Sequence, residues 1–414
     1  MPPPPRRHAP EDPSPAPPAT GARLGMALLG YMAGITLIIT LLPFRFDWPT
    51  RWRVMFTGGP EDLAANVLLF VPLGFLFQLA RSERGTHSAL GVLWAGALAS
   101  MAIEALQLFE RTRYTSPLDV ATNAAGAWLG AWGYARLGVR RRLDGEQVGR
   151  LLLELPLMGL AYLLVPLLWL DALATVAVPD RLMLAPLLGT VGGMVLGGLQ
   201  RRHFGPVRGM RAGVTAAVAA AGFLAGCVPA IGTRPATIGV GVVLTGALTW
   251  AIGQWRRATV ATDRRFEVPL LRAIAPVYAL YLACAVAGPV VLTPGEWRAG
   301  LGFPGAAATW TKGAILQVLE LVAAYTLLGF MVAEYRGRAV ERFRASRLRL
   351  AAWGTLVALA TEGVRGFHAG EGASLARGLL LGTAVVYGGW LYHLQLAHVL
   401  RLVAAGRRRA PPPA

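Results

Sequence analysis

About twelve apolar runs, most of roughly 18 residues or more, follow one another along this chain, each long enough to cross a hydrocarbon core of about 30 Å. A water-soluble fold of 414 residues has nowhere to put them, since 55% of the residues are hydrophobic and only 15% are charged. Soluble proteins carry about a quarter charged residues. Lipid offers no hydrogen-bond partner to a lone strand or loop, so the runs are read as helices. The spans lie at roughly 24–42, 63–80, 88–108, 119–136, 151–170, 183–199, 209–229, 236–254, 270–292, 313–333, 349–366 and 376–397. The fold class that follows is all-α: a polytopic membrane protein of about 12 transmembrane helices.

The net charge of +18 would suggest nucleic acid in a soluble protein. Here the basic residues are spread over short loops, and a nucleic-acid partner is not expected. Lys312 is the only lysine. With the N-terminus inside and the loops alternating, most arginines fall inside, in clusters such as Arg140–Arg141–Arg142, Arg256–Arg257 and Arg407–Arg408–Arg409. The bias keeps its sign along the whole chain, which predicts an N-in, C-in topology and an even number of spans. The proline-rich residues 1–22 and the basic, proline-rich residues 404–414 read as disordered cytoplasmic tails. The first apolar run is too long for a secretory signal and no small-residue cleavage site follows it. Cys227 and Cys284 sit within apolar runs without ligand spacing, and the six histidines form no motif, so neither a metal nor a cofactor is expected.

The polar residues that lipid should not tolerate collect toward one face. Asn66 lies in the second span, Glu104 and Gln107 near the end of the third, and Asp119 and Asn123 at the start of the fourth. Arg111 and Arg113 stand in the loop between the last two. Asp119 and Asn123 are four residues apart and share a helix face. An ionisable residue within a span is costly and usually pairs or lines a hydrated cavity, which singles out Glu104. Plainer roles are open for each. Ser116-Pro117-Leu118-Asp119 fits a helix cap. Asn66 and Gln107 can serve as interhelical hydrogen-bond glue. Glu104 can form an ion pair with Arg111 or Arg113.

This constellation resembles the VanZ-like membrane family. The matching stretches are Asn66-Val-Leu-Leu-Phe70-Val-Pro72-Leu-Gly74, then Ser100-Met-Ala-Ile-Glu104-Ala-Leu-Gln107-Leu-Phe109, then Arg113, and then Asp119-Val-Ala-Thr-Asn123-Ala-Ala-Gly126. The resemblance covers about residues 40–137. It implies a multi-pass protein of the bacterial cell (inner) membrane. Through the member that names the family, it also implies a link to glycopeptide resistance.

The last four spans echo the first four. Tyr31 to Trp48 compares with Tyr281 to Trp297, Leu73-Gly74-Phe75 with Leu328-Gly329-Phe330, and Glu104 through Phe109 with Glu362 through Phe367. The comparison places Arg365 opposite Gln107, Arg377 opposite Asp119, Leu381 opposite Asn123 and Leu321 opposite Asn66. This predicts a parallel pseudo-repeat of a four-helix unit, 23–137 and 270–403, about an axis along the membrane normal. A middle block at 151–254 would act as scaffold. In the second unit Glu362, Arg365 and Arg377 are expected to form a structural ion pair.

The functional expectation is a polar vestibule at the external face, formed by Asn66, Glu104, Gln107, Arg111, Arg113, Asp119 and Asn123. It would bind an envelope component, such as a lipid-linked precursor, or a glycopeptide antibiotic. The alternatives are a multi-pass transporter, with Glu320 as its midplane acid, and an outer-leaflet enzyme acting on a lipid-linked substrate. No nucleophile–base pair or phosphate loop supports the enzyme.

Overall fold

A computed structural model describes residues 20–48, 54–56, 58–81, 88–136, 145–204, 210–254, 267–303, 311–336 and 343–409. The N-terminal tail to residue 19, residues 410–414 and most of the arginine clusters expected inside lie outside the described residues. The described residues form twelve α-helices. The first four are α1 (Thr20–Leu41), α2 (Pro60–Arg81), α3 (Ala89–Gln107) and α4 (Pro117–Arg136). The next four are α5 (Gly145–Ala177), α6 (Ala185–Phe204), α7 (Met210–Gly226) and α8 (Pro235–Gln254). The last four are α9 (Glu267–Leu292), α10 (Lys312–Arg336), α11 (Phe343–Arg365) and α12 (Leu375–Arg409).

Seven helices are long and apolar enough to cross a membrane by length and composition: α1, α2, α3, the Gly159–Ala177 part of α5, α8, α9 and α10. The chain is a multi-pass helical membrane protein. The other five helices fall at expected spans but carry more polar residues or are shorter. α4 opens with Asp119, Thr122 and Asn123, α7 has 17 residues, and α11 begins with Arg344, Arg347 and Arg349. The fifth span differs from its expected bounds of 151–170, because α5 continues through Asp171 to Ala177. A buried carboxylate inside the helix looks, in the sequence, like the end of a span.

α5 runs through the centre of the molecule. Leu157, Leu160, Leu163, Leu164 and Leu167 recur at spacings of three and four and are all buried. Although α5 falls in the middle block by sequence, it packs against α10 and α12 as well as α6. α1 lies between the two ends of the chain, against α2 on one side and α12 on the other. The Tyr387 hydroxyl donates to the Ala27 carbonyl at 2.8 Å across this contact. Lipid supplies no hydrophobic drive between helices, so close backbone approach carries much of the packing. Gly74 lies against the Ala127 backbone, and Gly126 and Gly130 against the Val67 and Val71 carbonyls. On α6, Gly189, Gly193 and Gly197 meet Thr245, Thr249 and their neighbours on α8, whereas Gly222 faces open space.

The same contacts recur at the other end. Gly329 meets the Val385 backbone as Gly74 meets Ala127. Gly388 meets the Thr326 carbonyl and Phe330 amide as Gly130 meets Val71 and Phe75, and Gly354 meets Val385 as Gly96 meets Ala127. α10, α11 and α12 therefore pack as α2, α3 and α4 do. α9 departs from the pattern, packing mainly on α6 and α11, while α1 packs mainly on α2.

The loops after α1, α3, α9 and α11 lie on one side, joined pairwise by short bridges. Phe46 pairs with Glu110 and Val54 with Thr115, while β1 (Ala299–Gly300) runs parallel to β2 (Ala373–Ser374). The arginine distribution predicts that this side is external. Gly58 and Gly300 are exposed there with room for a side chain. Single cysteines at these positions, in a chain lacking Cys227 and Cys284, are expected to react with an impermeant maleimide in intact cells. Protection of both would reverse the topology.

Candidate functional site

The turn from α3 to α4 is held from two directions. The Asp47 amide donates to the Phe109 carbonyl at 2.7 Å, the Arg111 amide to Arg45 at 3.1 Å, and the Met55 amide to Thr115 at 2.9 Å, so the loop after α1 is stitched to the turn. From within, Glu104 Oε2 accepts the Ser116 amide at 2.8 Å, and the Thr115 hydroxyl donates to the Glu104 carbonyl at 3.2 Å. Glu104 is only 5% exposed, so its carboxylate fixes the start of α4 from inside the protein. The Ser116 hydroxyl accepts the Asp119 amide at 3.4 Å, with Pro117 opening the helix, so the serine half of the expected cap forms, while the Ser116 amide that a capping box gives to Asp119 goes to Glu104.

Four of the seven expected residues gather around this point. Asn66 lies beside the Asp119 carboxylate, which also sits in the fields of Asp62 and Arg113. Glu104 feels both Asp119 and Arg113. One turn deeper, the Asn123 amide nitrogen donates to Ser100 Oγ at 2.9 Å, and its Oδ1 is buried without a hydrogen-bond partner. The cluster opens outward through half-buried Asp119 and Asn66 toward exposed Asp62. Arg113 lies at its edge and makes no ion pair with either acid among the described residues. Its guanidinium donates instead to the Leu42 and Ile39 carbonyls at 3.3 and 3.5 Å, near the end of α1.

The remaining two residues work elsewhere. Gln107 donates to the Thr40 carbonyl at 2.8 Å and so closes the end of α1. Arg111 is exposed and paired with Asp47, whose carboxyl it holds below the usual carboxylate range, with help from the Trp48 amide. Neither ion pair open to Glu104, with Arg111 or with Arg113, forms among the described residues, because Arg111 turns outward to Asp47 and Arg113 donates to carbonyls near the end of α1. Glu110, which the sequence reading passed over, binds the Arg45 and Thr112 amides and the Thr112 hydroxyl, holding the loop together.

The C-terminal unit builds the same turn with different charges. Glu362 Oε2 accepts the Ser374 amide at 2.9 Å, and the Ser374 hydroxyl accepts the Arg377 amide at 3.0 Å. Arg377 then places its guanidinium on Glu362, with Nε on Oε1 at 2.7 Å and Nη2 on Oε2 at 2.9 Å. Nη1 reaches Glu371 at 2.7 Å, and Nη2 also donates to the carbonyl of Gly372, a residue in the left-handed region at φ +72°. Arg365 lies 3.6 Å from Glu371. Burial alone would raise the Glu371 carboxyl, but Arg365 and Arg377 together hold it below the usual range. Glu371 stands opposite Arg113 and carries no motif, so only the fold reveals its part in the network.

A third buried set joins the middle helices to α10. Arg181, in the loop after α5, binds Glu320 at 2.5 Å and reaches Asp171 at 3.4 Å, and the Tyr281 hydroxyl donates to Glu320 at 2.9 Å. Asp171 Oδ1 accepts the Leu184 amide at 3.2 Å, while Oδ2 is buried without a partner. Asp171 gives no signal in the sequence, because it falls one residue beyond the expected end of the fifth span. Two recesses open in the C-terminal half, about 420 Å³ between α1, α10 and α12 and about 360 Å³ beside Glu362 and Trp297. Neither borders Glu104. Among the described residues, no group of three His, Cys, Asp or Glu side chains is arranged to hold a metal ion.

Residues 23–138 match the model of the VanZ/LLP1 family. The N-terminal unit is of VanZ type. The match ends as α4 ends, so it spans the unit that holds Asn66, Glu104, Arg113, Asp119 and Asn123 and none of the buried charge elsewhere. No curated protein and no solved structure matches the chain.

The two glutamates should respond differently to neutralisation. Glu104→Gln keeps an oxygen acceptor for the Ser116 amide and is expected to leave the thermal midpoint of the purified protein nearly unchanged. Glu362→Gln strips a buried guanidinium of its bidentate partner, at a cost on the order of 3 kcal/mol. It is expected to lower both the midpoint and the membrane abundance. Equal midpoints for the two variants would contradict this assignment.

Proposed function

We propose that the VanZ unit is a binding site at the outer face of the bacterial inner membrane, for a polar envelope component or a glycopeptide antibiotic. The observation that carries this reading is Glu104. It is a buried acid within an apolar helix, next to a second carboxylate and an unsatisfied buried amide oxygen, and no cation of the chain pairs with it among the described residues. Such an arrangement is costly in lipid and is kept where it does work. The polar opening through Asp119, Asn66 and Asp62 gives access from the loop side. If the ligand is a glycopeptide or its envelope target, expression of the chain in a sensitive host should raise tolerance to teicoplanin severalfold. Glu104→Gln should cancel that gain at unchanged abundance. Full tolerance in the variant would place the working site elsewhere.

A second reading, a transporter, is favoured by the Asp171–Arg181–Glu320 set. Two buried carboxylates share one arginine, and one oxygen is left over. Buried acids of this kind mark proton or ion paths in membranes. Under this reading Asp171→Asn should abolish uptake or export of the substrate while Glu104→Gln leaves it intact. Solute flux in proteoliposomes, compared between the two variants, separates the readings.

A further inference from the structure

The two ends of the molecule carry opposite charges at matching places. Glu104 and Glu362 each hold the amide of the serine that begins the next helix, at 2.8 and 2.9 Å. Around them, Arg113 and Asp119 in the VanZ unit stand where Glu371 and Arg377 stand in the C-terminal unit. The C-terminal unit thereby supplies its own cation. The Arg377 guanidinium lies on Glu362 in a two-bonded fork, with Glu371 and the Gly372 carbonyl taking the remaining donors. That is the geometry with which a carboxylate binds a guanidinium most strongly.

Among the described residues, the VanZ unit has the acceptors without a paired cation. Asp119 replaces Arg377 and adds a second carboxylate, while Arg113 donates to carbonyls near the end of α1. The level below differs in a way that fits. Ser100 and Asn123 stand where the C-terminal unit has Ala358 and Leu381, and Asn66 stands where it has Leu321. Once an arginine of the chain fills the space, further acceptors would be buried without donors. In the VanZ unit they remain, and Asn123, on the same helix face as Asp119 and one turn beneath it, is 6% exposed with a free Oδ1.

We infer that the VanZ unit binds the ammonium or guanidinium group of its ligand between Glu104 and Asp119, in the place that Arg377 fills in the C-terminal unit. The inference rests on reading this cluster as a ligand site and names the chemical class that the site takes. The cationic group enters past Asp62 and Asn66. It donates to Glu104 and Asp119, with Asn123 Oδ1 available beneath. The group belongs either to a soluble amine or to the headgroup of an aminophospholipid.

The test uses the purified full-length chain and its thermal midpoint. L-argininamide and ethanolammonium chloride are expected to raise the midpoint saturably by a few degrees, since a ligand that binds only the folded state stabilises it. Choline, which has no N–H donor, and sodium chloride at equal ionic strength should not. The double variant Arg113→Glu/Asp119→Arg copies the C-terminal arrangement. It should have a midpoint at or above that of the parent and show no response to either amine. Should that variant fail to fold, Glu104→Gln serves in its place and should likewise lose the response. In nanodiscs, a shift caused by phosphatidylethanolamine and competed by argininamide assigns the group to a lipid. Its absence, with the argininamide response kept, assigns it to a soluble amine. A response to calcium chloride alone, an equal response to choline, or a full amine response in Glu104→Gln would overturn the inference. Loss of teicoplanin tolerance in Glu104→Gln without any amine response would leave the site in place and refute only the ligand class.

Discussion

A glutamate near the end of one helix that grips the first free amide of the next is the contact on which both ends of this protein are arranged. The first amides of a helix have no partner within it, and lipid supplies none. Glu104 answers that need for α4 and Glu362 for α12, and in doing so each fixes the turn between its two helices. The turn then receives the loop after α1 or α9, so that Asp47 meets Phe109 in one unit and Gly295 meets Phe367 in the other. A buried carboxylate thus sets local structure before it has any role toward a ligand.

The charge placed there must then be met, and the two units meet it in different ways. In the C-terminal unit two acids and two arginines, Glu362, Glu371, Arg365 and Arg377, form an ion-pair network, with Arg365 Nε left without a hydrogen-bond partner among the described residues. Removing one member leaves a buried charge without its counterpart, which destabilises more than the intact pair stabilises. In the VanZ unit Glu104 and Asp119 are left to polar neutral neighbours and to the more distant Arg113. Shared turn geometry thus carries divergent charge, paired within the chain in one unit and left to neutral neighbours among the described residues of the other. The middle helices add a third solution, in which a loop arginine dips between α5 and α10 to join Asp171 to Glu320.

Much of this was legible in the sequence, for identifiable reasons. Helices in lipid must be long and apolar, so the fold class and the approximate bounds of the helices follow from hydropathy. Polar residues within such runs are rare, so Asn66, Glu104, Asp119 and Asn123 stood out and proved to be neighbours. Where hydropathy was the sole guide it also misled. Asp171 reads as the end of a run, yet α5 carries it onward to Ala177, where Arg181, ten residues on, joins it to the sequence-distant Glu320. Loop residues gave no such signal, since charge in a loop is ordinary. Arg111 and Arg113 looked interchangeable, and Glu371 looked like any exposed acid.

By itself, then, the sequence determined the solvent and the class of fold, because no arrangement of so many apolar runs can be stable in water. It also determined which intramembrane residues would be costly, because that cost depends on residue type and depth and hardly on neighbours. Only the tertiary structure decided which of those costs are met within the chain. Pairing depends on a few ångströms and on side-chain direction, and these are set by glycine contacts between helices far apart in sequence, such as Gly74 on Ala127 and Gly388 on Thr326. Arg377 lies on Glu362, fifteen residues before it, whereas Arg113, only nine residues after Glu104, turns away to the carbonyls near the end of α1.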